Sequence, residues 1–156
     1  MLPTFTLVIK LNLPTYQYEV READGKAQIF DPIRKKFVAL TPEEWVRQHM
    51  INYLIEVLDY PRGLIKIESS LKYNQLSKRF DILVYDRTGT PFVIVECKSP
   101  STRLGPEVFE QVSVYNKAKQ AKYLTITNGL KHYCCEIDHN QGTYRFLDGL
   151  PELSQP

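Results

Sequence analysis

The sequence predicts an α/β domain in which a mixed β-sheet carries a helix on each face. Two features of the segment order lead to this prediction. One helical segment precedes three strand-like segments, and a second helical segment leads from the third of them into a further strand. A helix between two neighbouring strands is the usual crossover between parallel strands, so parallel and antiparallel pairs are both expected. With 156 residues, of which 43% are hydrophobic and 24% charged, the chain has enough apolar residues for one buried core.

The N-terminal part, residues 1–40, is predicted to be an arm and a β-hairpin added to a core at residues 41–150, all within one domain at 1–156. The arm at 1–17 reads as short extended pieces broken by Pro3 and Pro14. Asp24 and Gly25 lie between two extended segments and are typical of a tight hairpin turn. The segment "RKKFVAL" predicts one further short strand.

The first helix has clear signals at both ends. Thr41 is a good N-cap, Pro42 suits the first helical position, and Glu44 is spaced to complete a capping box. An apolar stripe follows at helical spacing, and Pro61 and Gly63 are expected to end the helix.

The core strands and the second helix follow in order. The segments "LIKIESSL", "RFDILVYD" and "PFVIVECK" predict three strands, and the turn at Gly89 makes the last two a hairpin. The second helix is predicted from Pro106 to about Ala121. After it, "KYLTITNG" predicts a strand, and "KHYCCEID" and "YRFLD" predict a final pair of strands.

Charged residues lie at one end of the predicted central hairpin. Residues two apart in a strand share a face, so Glu96 and Lys98 are expected on one face and Cys97 on the other. Counting outward from the turn at Gly89 places Asp81 opposite this end of the strand. Both carboxylates are therefore expected to lie close together.

Two neighbouring carboxylates repel one another unless a cation joins them. Oxygen ligands suit magnesium, which takes one or two carboxylates and keeps several waters, and the backbone carbonyl of Cys97 is a further candidate ligand. The ammonium group of Lys98 would lie where it can orient or help to deprotonate a water molecule and offset charge on a phosphate. The set predicts phosphodiester hydrolysis.

Simpler interpretations of the same residues stay open at this point. Asp81 in an apolar strand needs a partner, and an ion pair with Lys98 would supply one. Glu96 and Lys98 would also make an ordinary ion pair on one face of the strand. For Glu44, capping of the first helix is as good an explanation as a metal contact.

The motif spacing resembles a known nuclease pattern. Asp81 followed by Glu96-Cys97-Lys98 resembles the PD-(D/E)XK motif, although the residue before the aspartate is not proline. The second helix carries Gln111 and Tyr115 in "QVSVY", which is similar to the QxxxY motif of RecB-like nucleases. Together with their flanks, these segments resemble the N-terminal nuclease domain of type I restriction enzyme R subunits over roughly residues 28–148.

The resemblance implies a restriction-endonuclease-like fold and DNA cleavage with Mg²⁺ or Mn²⁺. In this family pattern, Lys98 would be the catalytic lysine, and Gln111 and Tyr115 would support the site or a DNA phosphate. The metal ligands would be Asp81, Glu96, the Cys97 carbonyl and, as an accessory, Glu44.

The expected partner is DNA. Four cationic residues are candidates for contacts with DNA phosphates. They are Lys78, Arg79, Arg103 and Lys117. For the two on the second helix and its preceding loop, an ordinary solvated surface position is the alternative. The net charge of +2 alone does not indicate nucleic acid. A homodimer and a separate motor or specificity subunit both stay open as assemblies. The sequence has no GxxxxGKS/T segment, so the resemblance implies a nuclease without a motor. A non-catalytic binding or interaction module on the same scaffold is the alternative function.

The cysteines and the apolar runs indicate the compartment. The three cysteines are odd in number and form no CxxC pair, so neither a disulfide framework nor a zinc site is expected. Free thiols suit the reducing cytoplasm. The N-terminus lacks the pattern of a signal peptide, and the longest apolar runs are far shorter than a membrane span.

Overall fold

The computed structural model describes the backbone of residues 9–73 and 76–153, and within these the side chains of all residues except 68–73, 76–80, 115 and 118. The predicted start of the arm, residues 1–8, therefore lies outside the described residues, and residues 9–17 carry no strand. Within the described ranges, no helix is both long enough and apolar enough to cross a membrane.

The N-terminal region forms a three-stranded antiparallel sheet. Its strands are β1 (Val20–Ala23), β2 (Lys26–Asp31) and β3 (Lys36–Ala39), in that spatial order. Asp24 and Gly25 between the first two strands have φ angles of 53° and 75°. Positive φ at both central residues is the geometry of the tight hairpin turn, which confirms the prediction made for this pair.

Helix α1 (Pro42–Asn52) begins at the predicted residue. The side chain of Thr41 accepts a hydrogen bond from the Glu44 amide at 3.0 Å, which confirms the N-cap. The α-helix ends earlier than predicted, because from Tyr53 to Val57 the hydrogen bonding widens to a π-helical turn. This turn buries Leu54, and the chain after it buries Tyr60.

The second sheet has six strands in sequential order. They are β4 (Ile65–Tyr73), β5 (Leu76–Tyr85), β6 (Pro91–Cys97), β7 (Tyr123–Thr127), β8 (His132–Asp138) and β9 (Thr143–Leu147). Strands β6 and β7 are parallel and are joined through helix α2 (Pro106–Lys119), while the other neighbours are antiparallel. The predicted mixed α/β sheet is confirmed.

The core shows that the helices lie on opposite faces of this sheet. Alternate residues of β5 and β6 divide between two buried clusters. Ile82 and Val95 pack in the cluster that contains the apolar residues of α1, whereas Leu83 and Ile94 pack with Val112 of α2. Because side chains alternate across a strand, the two clusters are the two faces of the sheet. Ile29 of the three-stranded sheet belongs to the α1 cluster.

Candidate functional site

The strand register brings Asp81 and Glu96 to the same end of the sheet. Ile82 of β5 pairs with Val95 of β6, so the next positions along the two strands are Asp81 and Glu96. Both residues are only 8% exposed. This is the placement expected from counting outward from the Gly89 turn.

The end of β6 presents its side chains alternately, as the period of two predicts. The Lys98 Nζ atom lies 3.5 Å from Glu96 Oε1, while Cys97 is fully buried in the α1 cluster on the other face. The second oxygen of Glu96, Oε2, is buried and has no hydrogen-bond partner among the described residues. A buried carboxylate oxygen without a donor is costly, and a bound cation or water molecule would satisfy it.

The electrostatics of Glu96 point in the same direction. Burial, and then the nearby charge of Asp81, raise the pKa of Glu96 to about 8, and Lys98 opposes this rise only in part. Without a further cation, the Glu96 carboxyl group therefore tends to keep its proton near neutral pH. A hard divalent cation would favour the charged form of Glu96, so these residues fit magnesium.

Both oxygens of Asp81 are held by the protein. Arg47 Nη2 in α1 donates to Asp81 Oδ1 at 2.8 Å, and the backbone N–H of Cys97 donates to Oδ2 at 2.7 Å. The alternative that paired Asp81 with Lys98 is wrong. The cation on Asp81 is the buried Arg47, since Lys98 pairs with Glu96.

Arg47 is one member of a row of alternating charges that runs to the three-stranded sheet. Arg47 Nη1 donates to Glu44 Oε1 at 3.0 Å, and Arg34 Nη2 donates to the same oxygen at 3.1 Å. Arg34 Nε in turn donates to Asp31 Oδ2 at 2.6 Å. We call Asp31, Arg34, Glu44, Arg47 and Asp81 the charge ladder. Its far end lies in β2 and its near end in β5.

Glu44 is directed into this ladder. Its carboxylate accepts hydrogen bonds from Arg34, Arg47 and Gln48, the last at 3.0 Å. The capping box is therefore represented by the Glu44 backbone amide and not by its carboxylate. A metal contact of Glu44 stays a prediction.

Glu43 is closer to the electrostatics of the site than the sequence suggested. Burial and then the charge of Asp81 raise the pKa of Glu43, and Arg47 and Lys98 lower it. Its side chain is 46% exposed, in contrast to the enclosed Glu44. Of the two glutamates, Glu43 is therefore the freer to contribute an accessory oxygen.

Two residues of helix α2, Gln111 and Tyr115, belong to the family pattern, but no described contact joins them to the carboxylate pair. Gln111 is exposed, and the side chain of Tyr115 lies outside the described residues. Both belong to the helix that starts shortly after the Lys98 strand end. Their predicted support of the site stays a prediction.

Of the four predicted phosphate contacts, the structure describes the side chains of two. Arg103 lies exposed in the loop after β6, and Lys117 lies exposed on α2. Lys78 and Arg79 lie in β5 close to Asp81, but their side chains are outside the described residues. No described contact brings Arg103 or Lys117 to the carboxylates.

A cleft opens beside the charge ladder. Its volume is about 600 Å³, and it lies between β3, the start of α1 and the loop after β6. Glu43, Arg34, Arg47 and Ser99 are among the residues that line it. The cleft gives solvent access to Arg34, Glu44 and Arg47 of the ladder, whereas Asp81 and Glu96 are not among the residues that line it.

Sequence reasoning missed Arg47 and Arg34. The available signal was the spacing of Arg47, which lies three residues after Glu44 and four after Glu43, the spacing of ion pairs along a helix. Such pairs usually lie on an exposed helix surface, so this one gave no reason to expect a buried arginine. Arg34 has a local partner in Asp31, three residues away, but its contact with Glu44 had no local signal, because Glu44 is ten residues away in another element.

No group of three or more His, Cys, Asp or Glu side chains suited to a metal occurs in the described part of the chain. The candidate site therefore offers two carboxylates and not a cage of side chains, and the Cys97 carbonyl stays a predicted ligand. Magnesium sites commonly have few protein ligands, with water at the other positions.

Comparison with solved structures gives a similar protein from a bacterium. It is a fragment assigned as an HsdR subunit of a type I restriction enzyme from Vibrio vulnificus YJ016, with a TM-score of 0.40 and 24% sequence identity. The match covers 56% of this chain and 19% of that chain, so this chain matches a small part of its relative. No curated protein matches the chain.

A family model gives the clearest relationship. The model of the type I restriction enzyme R protein N terminus matches residues 42–151, which is well over half of the 156 residues. The match starts later than the resemblance drawn from about residue 28, and it leaves the three-stranded sheet outside. It contains α1, the carboxylate pair and α2. The chain therefore belongs to the family of type I restriction enzyme R protein N-terminal domains.

Proposed function

We propose that this chain is a metal-dependent nuclease that hydrolyses DNA phosphodiester bonds, using a PD-(D/E)XK-type site. The observation that carries the proposal is the carboxylate pair. Asp81 and Glu96 adjoin at the end of two paired strands, Glu96 Oε2 is buried without a hydrogen-bond partner among the described residues, and Lys98 lies beside Glu96.

The metal-binding role falls to Asp81, Glu96 and the backbone carbonyl of Cys97, with Glu43 or Glu44 as an accessory. Mg²⁺ or Mn²⁺ is the proposed cofactor. When bound, such an ion supplies positive charge that polarises a phosphoryl oxygen and favours ionisation of water.

Lys98 has the most direct chemical role among the side chains. Its side chain is 27% exposed and its ammonium group lies beside Glu96, where it would orient the attacking water and offset negative charge that develops on the phosphate. Gln111 and Tyr115 would support the site from α2. The proposed contacts with the DNA backbone are Lys78, Arg79, Arg103 and Lys117.

The family relationship supports DNA as the proposed substrate. The chain would act on DNA in the cytoplasm, either as a homodimer or with a separate motor or specificity subunit. The whole activity of a type I restriction enzyme is not proposed for this chain, since it matches 19% of the similar HsdR fragment.

The test is incubation of the purified protein with supercoiled, linear and single-stranded DNA, with and without Mg²⁺ or Mn²⁺. We expect metal-dependent nicking that Asp81→Ala and Lys98→Ala abolish while circular dichroism shows an intact fold. Lys26→Ala, a variant of an exposed lysine in β2, is the matched control and should cleave normally. Unchanged cleavage by either site variant would contradict the mechanism.

A second candidate is a non-catalytic nucleic-acid-binding or interaction module on the same scaffold. It is favoured by one observation, that Arg47 and the Cys97 amide already hold both oxygens of Asp81. Calorimetry separates the two functions. A nuclease should bind Mg²⁺ or Mn²⁺ with measurable heat, whereas a module of the second kind should bind DNA without needing the metal and without cleaving it.

A further inference from the structure

We propose that the three-stranded sheet β1–β3 helps to position the residues of the candidate site, and that Arg34 is a positioning residue for Asp81. Arg34 acts through Glu44 and Arg47, the two members of the charge ladder that lie between Arg34 and Asp81. The inference rests on the proposed function only in treating Asp81 as a metal ligand. It extends beyond the family relationship, because residue 34 lies outside the matched residues 42–151.

The turn between β2 and β3 fixes the position of Arg34. Asp31 is fully buried, and its Oδ1 accepts the backbone amides of Ile33 and Arg34 at 2.8 and 2.9 Å. Its Oδ2 accepts Arg34 Nε at 2.6 Å. Hydrogen bonds to both the backbone and the side chain hold the guanidinium in one orientation, because its donors are arranged in a rigid plane.

The fixed guanidinium then restrains Glu44. Arg34 Nη2 lies 3.1 and 3.2 Å from the two oxygens of Glu44. Glu44 Oε1 is shared, since Arg47 Nη1 donates to it at 3.0 Å. Loss of Arg34 would therefore remove one of the donors that position the Glu44 oxygen to which Arg47 is bonded.

Arg47 carries the effect to the carboxylate pair. Its other terminal nitrogen holds Asp81 Oδ1 at 2.8 Å, while the Cys97 amide holds Oδ2. The exposed side-chain fractions are 6% for Arg47, 8% for Glu44 and 11% for Asp81. Water screens these charges little, so neighbouring charges of the ladder interact strongly.

Packing alone does not require this arrangement. Ile29 is fully buried and Val38 partly buried in the α1 cluster, so apolar contacts already attach the three-stranded sheet to the core. A buried row of charges is costly to desolvate, and apolar residues would attach a sheet at least as well. Arg34 also lines the cleft, together with Glu44 and Arg47. A positioning role explains why charged residues occupy these places.

The amide of Cys97 provides a reporter that needs neither metal nor activity. It donates directly to Asp81 Oδ2, so its NMR chemical shift and its rate of hydrogen exchange report where that carboxylate lies. We expect Arg34→Met to shift this resonance and to speed its exchange by about tenfold, as when one hydrogen bond is weakened. Arg34→Lys keeps the charge and should produce a smaller change.

Arg21→Met is the matched control. Arg21 belongs to the same three-stranded sheet, but it is exposed, and its side chain bonds to Gln28 and lies over Phe37. This variant should leave the Cys97 amide unchanged. In nicking assays, Arg34→Met should lower kcat about tenfold at unchanged KM for DNA, again the ratio for one weakened hydrogen bond. A rise in KM alone would instead assign Arg34 to direct phosphate binding and overturn the positioning role.

The outcomes separate this proposal from the proposed function. A Cys97 resonance that stays in place in folded Arg34→Met overturns the positioning role, whatever the nuclease does. If Arg34→Met does not fold, an unshifted Cys97 resonance in Arg34→Lys overturns it equally. A shifted resonance in a protein that cleaves no DNA supports the coupling through the ladder and contradicts the nuclease.

Discussion

Substitution of Arg47 tests the most enclosed feature of the site. Arg47→Met keeps much of the apolar stem but removes the cation that holds Asp81 at 2.8 Å and Glu44 at 3.0 Å. Glu44 retains hydrogen bonds from Arg34 and Gln48. The main cost therefore falls on Asp81, which loses its described cation.

The expected magnitude follows from the burial of these side chains. Removal of one partner from a buried ion pair costs about 3–5 kcal/mol. We expect about 3 kcal/mol here, because the Cys97 amide continues to satisfy one oxygen of Asp81. For a chain of 156 residues, each kcal/mol corresponds to about 2–4 °C in melting temperature, so the loss should be about 6–12 °C.

Calorimetric or circular-dichroism melting measures this change directly. Arg145→Met is the matched control, because Arg145 pairs with Glu136 at a similar distance of 2.9 Å but its side chain is 72% exposed. Exposed ion pairs contribute little to stability, so this control should melt near the wild type. In an Asp81→Asn background, the loss caused by Arg47→Met should shrink, since no unpaired charge remains. Equal melting temperatures for Arg47→Met and the wild type would refute the reasoning.

Two further predictions concern the turn under the N-terminal arm and the pH dependence of stability. Gly129 and Gly89 both have φ of 85°, but a Cβ would lie 2.7 Å from Leu11 at Gly129 and would meet nothing within 4 Å at Gly89. Gly129→Ala should therefore lower the melting temperature more than Gly89→Ala, and equal losses would count against this contact. Burial raises the pKa of Asp31, but hydrogen bonds from Arg34 outweigh it, so the net pKa is lowered. The ionised carboxylate of Asp31 stabilises the fold at pH values above its unfolded pKa of about 4. This stabilisation is lost as the pH falls through the lower pKa that Asp31 has in the folded protein. In denaturant titrations from about pH 6 to about pH 3, the stability difference between wild type and Asp31→Asn should narrow. A stability difference that stays constant over this pH range would contradict the lowered pKa of Asp31.

The sequence was sufficient for the parts of the fold that depend on local periodicity and turn chemistry. The period of two along β6 placed Glu96 and Lys98 together and Cys97 on the opposite face, and the structure has this arrangement. The count from Gly89 placed Asp81 at the correct end of the sheet, because an antiparallel hairpin fixes its own register.

The cation on Asp81 could not be predicted in the same way. Arg47 is 34 residues from Asp81 along the chain, and the contact depends on how α1 packs against the sheet. Helical periodicity assigns a residue to a face, but it does not say that a long charged side chain turns inward. Glu44 illustrates the same limit, since its spacing from Thr41 fits a capping box while its carboxylate bonds to two arginines and a glutamine.

The end of the first helix also differs from the prediction. Pro61 and Gly63 are real breakers, but the α-helix ends before them, at Asn52. The π-helical turn that follows allows Leu54 and Tyr60 to be buried together. Burial in the tertiary structure decides this boundary, and a local sequence window carries no signal of it.

Metal-dependent nicking by a matched pair of glutamate variants tests the central claim most directly. Glu96→Gln replaces the buried carboxylate with an amide of nearly the same shape, and Glu136→Gln makes the same change on β8. Supercoiled DNA is incubated with each protein at saturating Mg²⁺ or Mn²⁺, and the loss of the supercoiled form is followed with time. We predict that Glu136→Gln cleaves at the wild-type rate, whereas cleavage by folded Glu96→Gln falls to the background without metal. Wild-type cleavage by Glu96→Gln would contradict the assignment of the site.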